Sequence, residues 1–427
     1  MPIAKNSSLL IFDGVQIQTD VISSREQEYY PLSSLSSGGP IEFYVPGNSD
    51  DYIDCDDINL YLQVKIEKAG GKALVATEDV TFANFPIGTL FQDASLTLGE
   101  THIEGGHQCY PYIAYLNTFL NYKPEAQDTH LKASGWSRDE AGKMDAAANT
   151  AHVERLTWTD KSRIAEFYGP LHLDFLRHSR YLISQVPMRL KLVRSKPEFA
   201  LLNFGAALDV KIEILHATLH VRRVTMNPSV INGHNAGLAR QNALYPVNHT
   251  ELFSFTIPAG QKSYIKDRIS PSQTPKFLAI MMVTNEAFNG DMKKNPFNFQ
   301  HFNLNKIQLF RDTISIPGRA FTPDFGNNLF LRGYINTMKA LQYYKTDDTN
   351  GLTPDEFKGG YAIYAFDLTA DNDVTSTVRD SLSTNNLRLE LSFEANLAET
   401  VNVLMYAVYD STVQITQQRD VLTDYSR

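Results

Sequence analysis

Residues 225–248, TMNPSVINGHNAGLARQNALYPVN, form a long central segment without β alternation, bracketed by prolines at Pro228 and Pro246. On each side lies a β-rich half of roughly 200 residues, the size of one all-β sandwich domain. A chain divided in this way must build either two different cores or one architecture twice. The order of elements in the two halves favours one architecture twice.

In the first half, Ile58, Leu60, Leu62, Val64 and Ile66 alternate with Asn59, Tyr61, Gln63 and Lys65. A period of two with one apolar face predicts a half-buried strand. A second strand is expected over 95–103. The spacing then turns helical, with Tyr112, Tyr115, Leu116, Phe119 and Leu120 on one face and Pro111 in the first turn, where the missing N–H is harmless. Residues 123–164 form a long polar excursion, of the kind that usually carries function or contacts. Strands are predicted again at LHLDF (171–175), MRLKLV (188–193) and 210–224. In the last run Val210, Ile212 and Ile214 hold one parity, whereas Leu215, Ala217, Leu219 and Val221 hold the other. A slip of one residue requires a bulge or bend near Leu215.

The second half repeats this order. Phe253, Phe255 and Ile257 alternate with polar residues, 277–283 is a fully apolar strand, and Ile307 and Leu309 lead into RDTISIPG. A helical face follows, built from Leu331, Tyr334, Ile335, Met338 and Leu341, and then a second polar excursion over 342–360. YAIYAFDL, LRLELSF and VNVLMYAVY close the half, with LRLEL (387–391) matching MRLKL (188–192) almost residue for residue. Many short strands with one helical crossover per half predict an all-β fold, a double jelly roll of two tandem eight-stranded antiparallel sandwiches. The expected division is an N-terminal arm at 1–39, a first jelly roll at 40–226, a connector at 227–248 carrying a short helix, and a second jelly roll at 249–427.

Composition limits the function. With 43% hydrophobic residues, 24 Phe and 21 Tyr, the chain can fill ordered cores and favours strands. A net charge of -9 argues against a protein that coats nucleic acid, because counterion release needs clustered Lys and Arg. No direct sequence-specific nucleic-acid binding is expected. Two cysteines, Cys55 and Cys109, without regular spacing suit a reducing compartment better than a disulfide scaffold. The first residues carry no signal-peptide pattern and the longest apolar run is too short to cross a bilayer, so no secretory leader and no membrane insertion are expected.

Several stretches together resemble one family: GGPIEFYVPG, DDYIDCDDINLYLQVKI, YPYIAYLNTFLNY, RYLISQVPMRLKLVRSKPEF, EAFNGDMKKNPFNFQHFNL, GGYAIYAFDLTAD and VNVLMYAVYDSTVQI. In these the chain resembles the double jelly-roll major capsid proteins of adintoviruses and Polinton (Maverick) elements, collinearly from about Tyr29 to Tyr425. The resemblance implies a structural protein of the virion, assembled inside the host cell. Its partners would be itself, as a homotrimer (hexon) within an icosahedral shell around double-stranded DNA, together with penton and minor capsid proteins. The two polar excursions would be crown loops on the outer face. The resemblance implies no enzymatic activity and no cofactor.

GxSxG, HExxH, GxxxxGK[ST] and GxGxxG patterns are absent, which leaves four common catalytic routes unsupported. His102, His107 and Cys109 match no standard zinc template and read as a solvated turn. The acidic run Asp50, Asp51, Asp54, Asp56 and Asp57 lacks EF-hand spacing and reads as a solvated turn rather than a calcium site. His172 and Asp174 could share a strand face as a satisfied pair. Pro296, Phe297, Phe299 and His301, in NPFNFQHF, are expected to form a buried loop anchor at a subunit contact, and Arg222 and Arg223 to be used in intersubunit ion pairing or solvation. A lectin-type jelly-roll protein is the alternative reading, and a cupin-like metal enzyme the third.

Overall fold

The computed structural model describes residues 18–106, 109–270, 273–376 and 386–424. The first half contributes β1 (Val21–Tyr29), β2 (Ile41–Val45), β3 (Asp51–Lys68), β4 (Phe91–Leu98), β5 (Thr101–Glu104), β6 (Ala165–Pro170), β7 (Met188–Arg194) and β8 (Val210–Met226). These form two antiparallel sheets, in the orders β1-β8-β3-β6 and β2-β7-β4-β5. The second half contributes β9 (Ala243–Ile257), β10 (Ser263–Lys266), β11 (Phe277–Thr284), β12 (Leu304–Arg311), β13 (Ile314–Phe321), β14 (Tyr364–Asp367), β15 (Leu387–Phe393) and β16 (Val401–Ile415). Their sheets run β9-β16-β11-β14 and β10-β15-β12-β13. Adding eight to each strand number of the first half gives the second half, so one jelly-roll topology occurs twice.

The period-two pattern explains the pairing. Ile58, Leu60, Leu62, Val64 and Ile66 of β3 are all buried, and Leu60, Leu62 and Val64 lie opposite Leu219, Ala217 and Ile214 of β8. Truncating one of these branched side chains to Ala would cost about 2–5 kcal/mol. The register shifts between Ile214 and His216, which is the slip that the parity change at Leu215 required. That residue is left exposed on the bulge. The run 277–283 falls in β11, which is buried on both faces.

Four helices of ten or more residues accompany the sheets among the described residues: α1 (Tyr110–Asn121), α2 (Thr150–Thr159), α3 (Pro228–Leu238) and α4 (Leu331–Ala340). Helices α1 and α4 occupy equivalent places, each between the last strand of one sheet and the return to the other. α3 lies in the central segment, where the Asn227 side chain accepts from the Ser229 N–H and Pro228 sits in the first turn. It ends before NALY, the stretch in which β9 begins. No helix of the described residues is long and apolar enough to cross a membrane.

The single strand expected over 95–103 is instead two, β4 and β5, joined by a tight turn at Gly99–Glu100. LHLDF (171–175) is not a strand: Leu171, Leu173 and Phe175 are buried, but no strand pairs with them and the chain turns into a 3-10 helix at Asp174–Arg177. Alternating burial alone does not make a strand without a sheet edge to receive it. A short pair that the pattern did not show, 80–82 with 201–203, also closes the first sandwich.

Candidate functional site

The richest constellation of aromatic and charged side chains lies where the two sandwiches meet, around α1. Ten of its twelve residues are buried, and a helix apolar on all sides belongs inside a core. Its turns present Tyr112, Tyr115 and Phe119 to the second half. The Tyr115 ring stacks on Phe297 at 4.0 Å and 5°, Phe119 stacks on Tyr361 at 5.1 Å, and Tyr112 meets Phe288 and Phe297 at 5.9 and 5.7 Å. Each such pair adds about 0.5–1.5 kcal/mol beyond the area it buries. The Tyr406 hydroxyl of β16 donates to Asn117 Oδ1 at 2.8 Å, and that of Tyr343 donates to the Leu120 carbonyl at 3.0 Å.

A polar network borders the stack. Asp139 is 2% exposed, and its Oδ1 accepts from Arg155 at 2.7 Å and Asn149 at 2.8 Å. Its Oδ2 accepts from Asn295 Nδ2 of the second half at 2.8 Å. The Tyr361 hydroxyl donates to the Asp139 carbonyl at 2.7 Å. Asp145 accepts from the Asn295 N–H and from Asn298 Nδ2. Arg138 donates to the Asn350 and Gly351 carbonyls and to Glu356, and its guanidinium lies 5.0 Å from the Phe119 ring centre. The first polar excursion therefore clasps the 295–299 loop and the second excursion. A buried carboxylate is tolerable here because its partners answer both oxygens.

The expected contact residues are distributed differently. Phe297, Phe299 and Arg223 are fully buried within the chain, and Pro296 is buried as well. Their side chains are packed within the chain, as a buried loop anchor requires, so a subunit contact at this loop would use its remaining exposed atoms rather than these rings. Arg223 donates to the Tyr29 hydroxyl at 2.7 Å and to the Pro46 carbonyl. His301 stacks on Phe325 at 3.8 Å, and burial lowers its imidazole to about 4. Arg222 remains partly exposed, paired with Asp57 at 2.9 Å.

The suspected metal and acid–base groups do not assemble. Among the described residues no three His, Cys, Asp or Glu side chains are placed to hold a metal. His107 lies outside the described residues, His102 faces the Gly105 carbonyl at 3.3 Å, and Cys109 is buried. Asp51 accepts from Arg25, Asn48 and Thr225, so it is a partnered strand residue rather than part of a solvated turn. His172 contacts Thr118 Oγ1 at 3.3 Å rather than Asp174, and burial lowers it to about 3. Asp174 instead accepts from the Thr250 N–H of β9 at 2.7 Å. Glu104 accepts the N–H groups of Asp174 and Phe175, both at 2.6 Å, and burial raises its carboxyl well above the usual range. The sequence pointed to His172 and Asp174 but not to their actual partners, Thr118, Thr250 and Glu104, because these lie 54 to 76 positions away along the chain.

No protein-family model matches the chain. An uncharacterized protein of Caenorhabditis elegans is 22% identical over 423 residues, covering 95% of this chain and 98% of that protein. Among solved structures, a chain from the cryo-EM structure of the Sputnik virophage superposes with a TM-score of 0.64 at 12% identity, covering 99% of this chain and 92% of that one. PBCV-1 VP54, fitted into a Sputnik reconstruction, gives 0.61 at 12% identity, with 97% of this chain and 100% of that chain covered. The mavirus major capsid protein gives 0.54 at 11% identity, with 99% and 93% covered. The likeness spans nearly the whole of each chain and shows a shared fold, the double jelly roll.

Proposed function

We propose that this chain is the major capsid protein of a double-stranded DNA virus or virus-like element of the adintovirus and Polinton type, and that its activity is self-assembly. The observation that carries this reading is the doubled topology: two sandwiches of identical strand order, locked side by side through α1. Three such chains around a threefold axis present six similar blocks, an approximate hexagon that tiles a shell with few kinds of contact. The full-length likeness to virophage and viral capsid chains supports the reading. An equal-length relative in an animal fits a capsid gene carried in a cellular genome.

In this reading the arm (1–39) lends β1 to the edge of the first jelly roll (40–226), and the connector (227–248) leads into the second (249–427). Threefold closure uses two different patches on each chain. Exposed apolar side chains supply candidates: Ile22, Tyr30 and Leu32 in the first half, and Ile314, Leu329 and Leu331 in the second. The trimer would meet neighbouring capsomers, pentons and minor capsid proteins in the virion, after assembly in the host cell. No step of bond chemistry is assigned to the chain. Negative-stain microscopy of the purified protein tests this: trimers of hexagonal outline are expected, and a stable monomer that binds glycans would favour the lectin reading instead.

A further inference from the structure

A cleft of about 750 Å³ opens between the sandwiches beside the start of β9, away from the clasp formed by the polar excursions. Arg177, Arg180 and Lys276 bring three cationic side chains to its lining. Arg177 lines the cleft; its charge acts on the nearby Asp174, but its guanidinium makes no side-chain hydrogen bond or close ion pair with any described residue. Arg180, alongside it, uses one nitrogen on the Leu244 carbonyl. Asn117 is 4% exposed. Its Oδ1 is taken by the Tyr406 hydroxyl, which leaves Nδ2 buried without an acceptor.

The charge balance points the same way. Lys276 is answered by Asp410 at 2.9 Å, so it adds little. The carboxyl group lining the cleft is Asp174. One of its oxygens is held by the Thr250 N–H, and burial raises it toward its neutral form. Among the described lining residues, two guanidiniums therefore accompany one committed carboxyl group, in a protein whose net charge is -9. Leu341 and Tyr343 provide an apolar wall opposite. Forked guanidinium donors suit phosphate oxygens in particular, by bidentate bonding, and the volume falls in the range of small-molecule sites.

We propose that this cleft binds an organic phosphate of nucleotide size, its phosphates on Arg177 and Arg180 and its apolar part against Leu341 and Tyr343. The site does not depend on the capsid reading. Calorimetric titration at constant ionic strength would use sodium pyrophosphate, ATP without metal, adenosine and a 20-base-pair DNA duplex as separate probes. Saturable binding of pyrophosphate and tighter binding of ATP are expected, with none for adenosine alone. R177Q and R180Q should each weaken both phosphates at least tenfold, while R189Q, on the surface of β7, should leave them unchanged. Arg180 is exposed, so R180Q keeps the test open even where R177Q fails to fold. Equal affinity in R180Q, no saturable phosphate binding, or binding of the duplex alone would each overturn the assignment.

Discussion

The ring of Tyr115, in the first half, lies flat on the ring of Phe297, in the second, with 4.0 Å between centres and 5° between planes. Both side chains are fully buried. This pair joins the two sandwiches more directly than the connector does, because it fixes their separation at the middle of the junction rather than at its end.

Replacing Phe297 with Ala should destabilise the chain by about 3–5 kcal/mol, read as a shift in the urea midpoint. F297D should yield unfolded or insoluble protein. A soluble, folded F297D monomer would show that this ring faces a partner subunit after all.

The Asp139–Arg155 pair gives a second test. Asp139→Ala alone should cost about 3–5 kcal/mol, since it strands a fully buried guanidinium. The double variant D139A/R155M should cost clearly less than the sum of the single changes, with a coupling above about 0.5 kcal/mol. Additive losses in chemical denaturation would mean that the pair does not act as a unit.

Much of this fold was legible in the sequence, and the reasons are local. The alternation from Ile58 to Ile66, the helical face of Tyr112 to Leu120 and the parity slip at Leu215 all follow from periods set by one strand or helix. What was not legible depended on long-range placement. NPFNFQHF read as a buried anchor at a subunit contact because its aromatics are dense, but density does not say which part of the same chain covers them. Here it is Tyr115, some 180 positions earlier. The polar residues 137–155 read as an exposed loop because Asp139 and Arg155 look solvated until Asn295 and Tyr361 are brought to them.

Acid stability should carry the mark of His172. Burial, with the positive charge of Arg177 beside it, lowers this imidazole to about 3, from about 6.5 when unfolded. Between those values the unfolded chain binds more protons than the folded one. The contribution of His172 is therefore complete above the unfolded value and is lost as pH falls through this window. H172Q should flatten the decline in unfolding free energy between about pH 6.5 and pH 4 relative to the unmodified chain. Parallel profiles for the two proteins would contradict this.

Leu329 and Leu331 are more than half exposed in the single chain, close to the start of α4 and away from the junction core. The double variant L329D/L331D should fold with a near-native thermal midpoint, since exposed substitutions usually change stability by about 0.5 kcal/mol or less. It should sediment as a monomer. Undisturbed oligomers from this variant would remove these residues from the proposed contact.

The claim on which the account rests is that this chain builds a threefold tile. Light scattering coupled to size exclusion measures it most directly. The account predicts a species of three times the 48.1 kDa chain mass that persists on dilution, as an obligate interface should; a single species at the mass of one chain would contradict it.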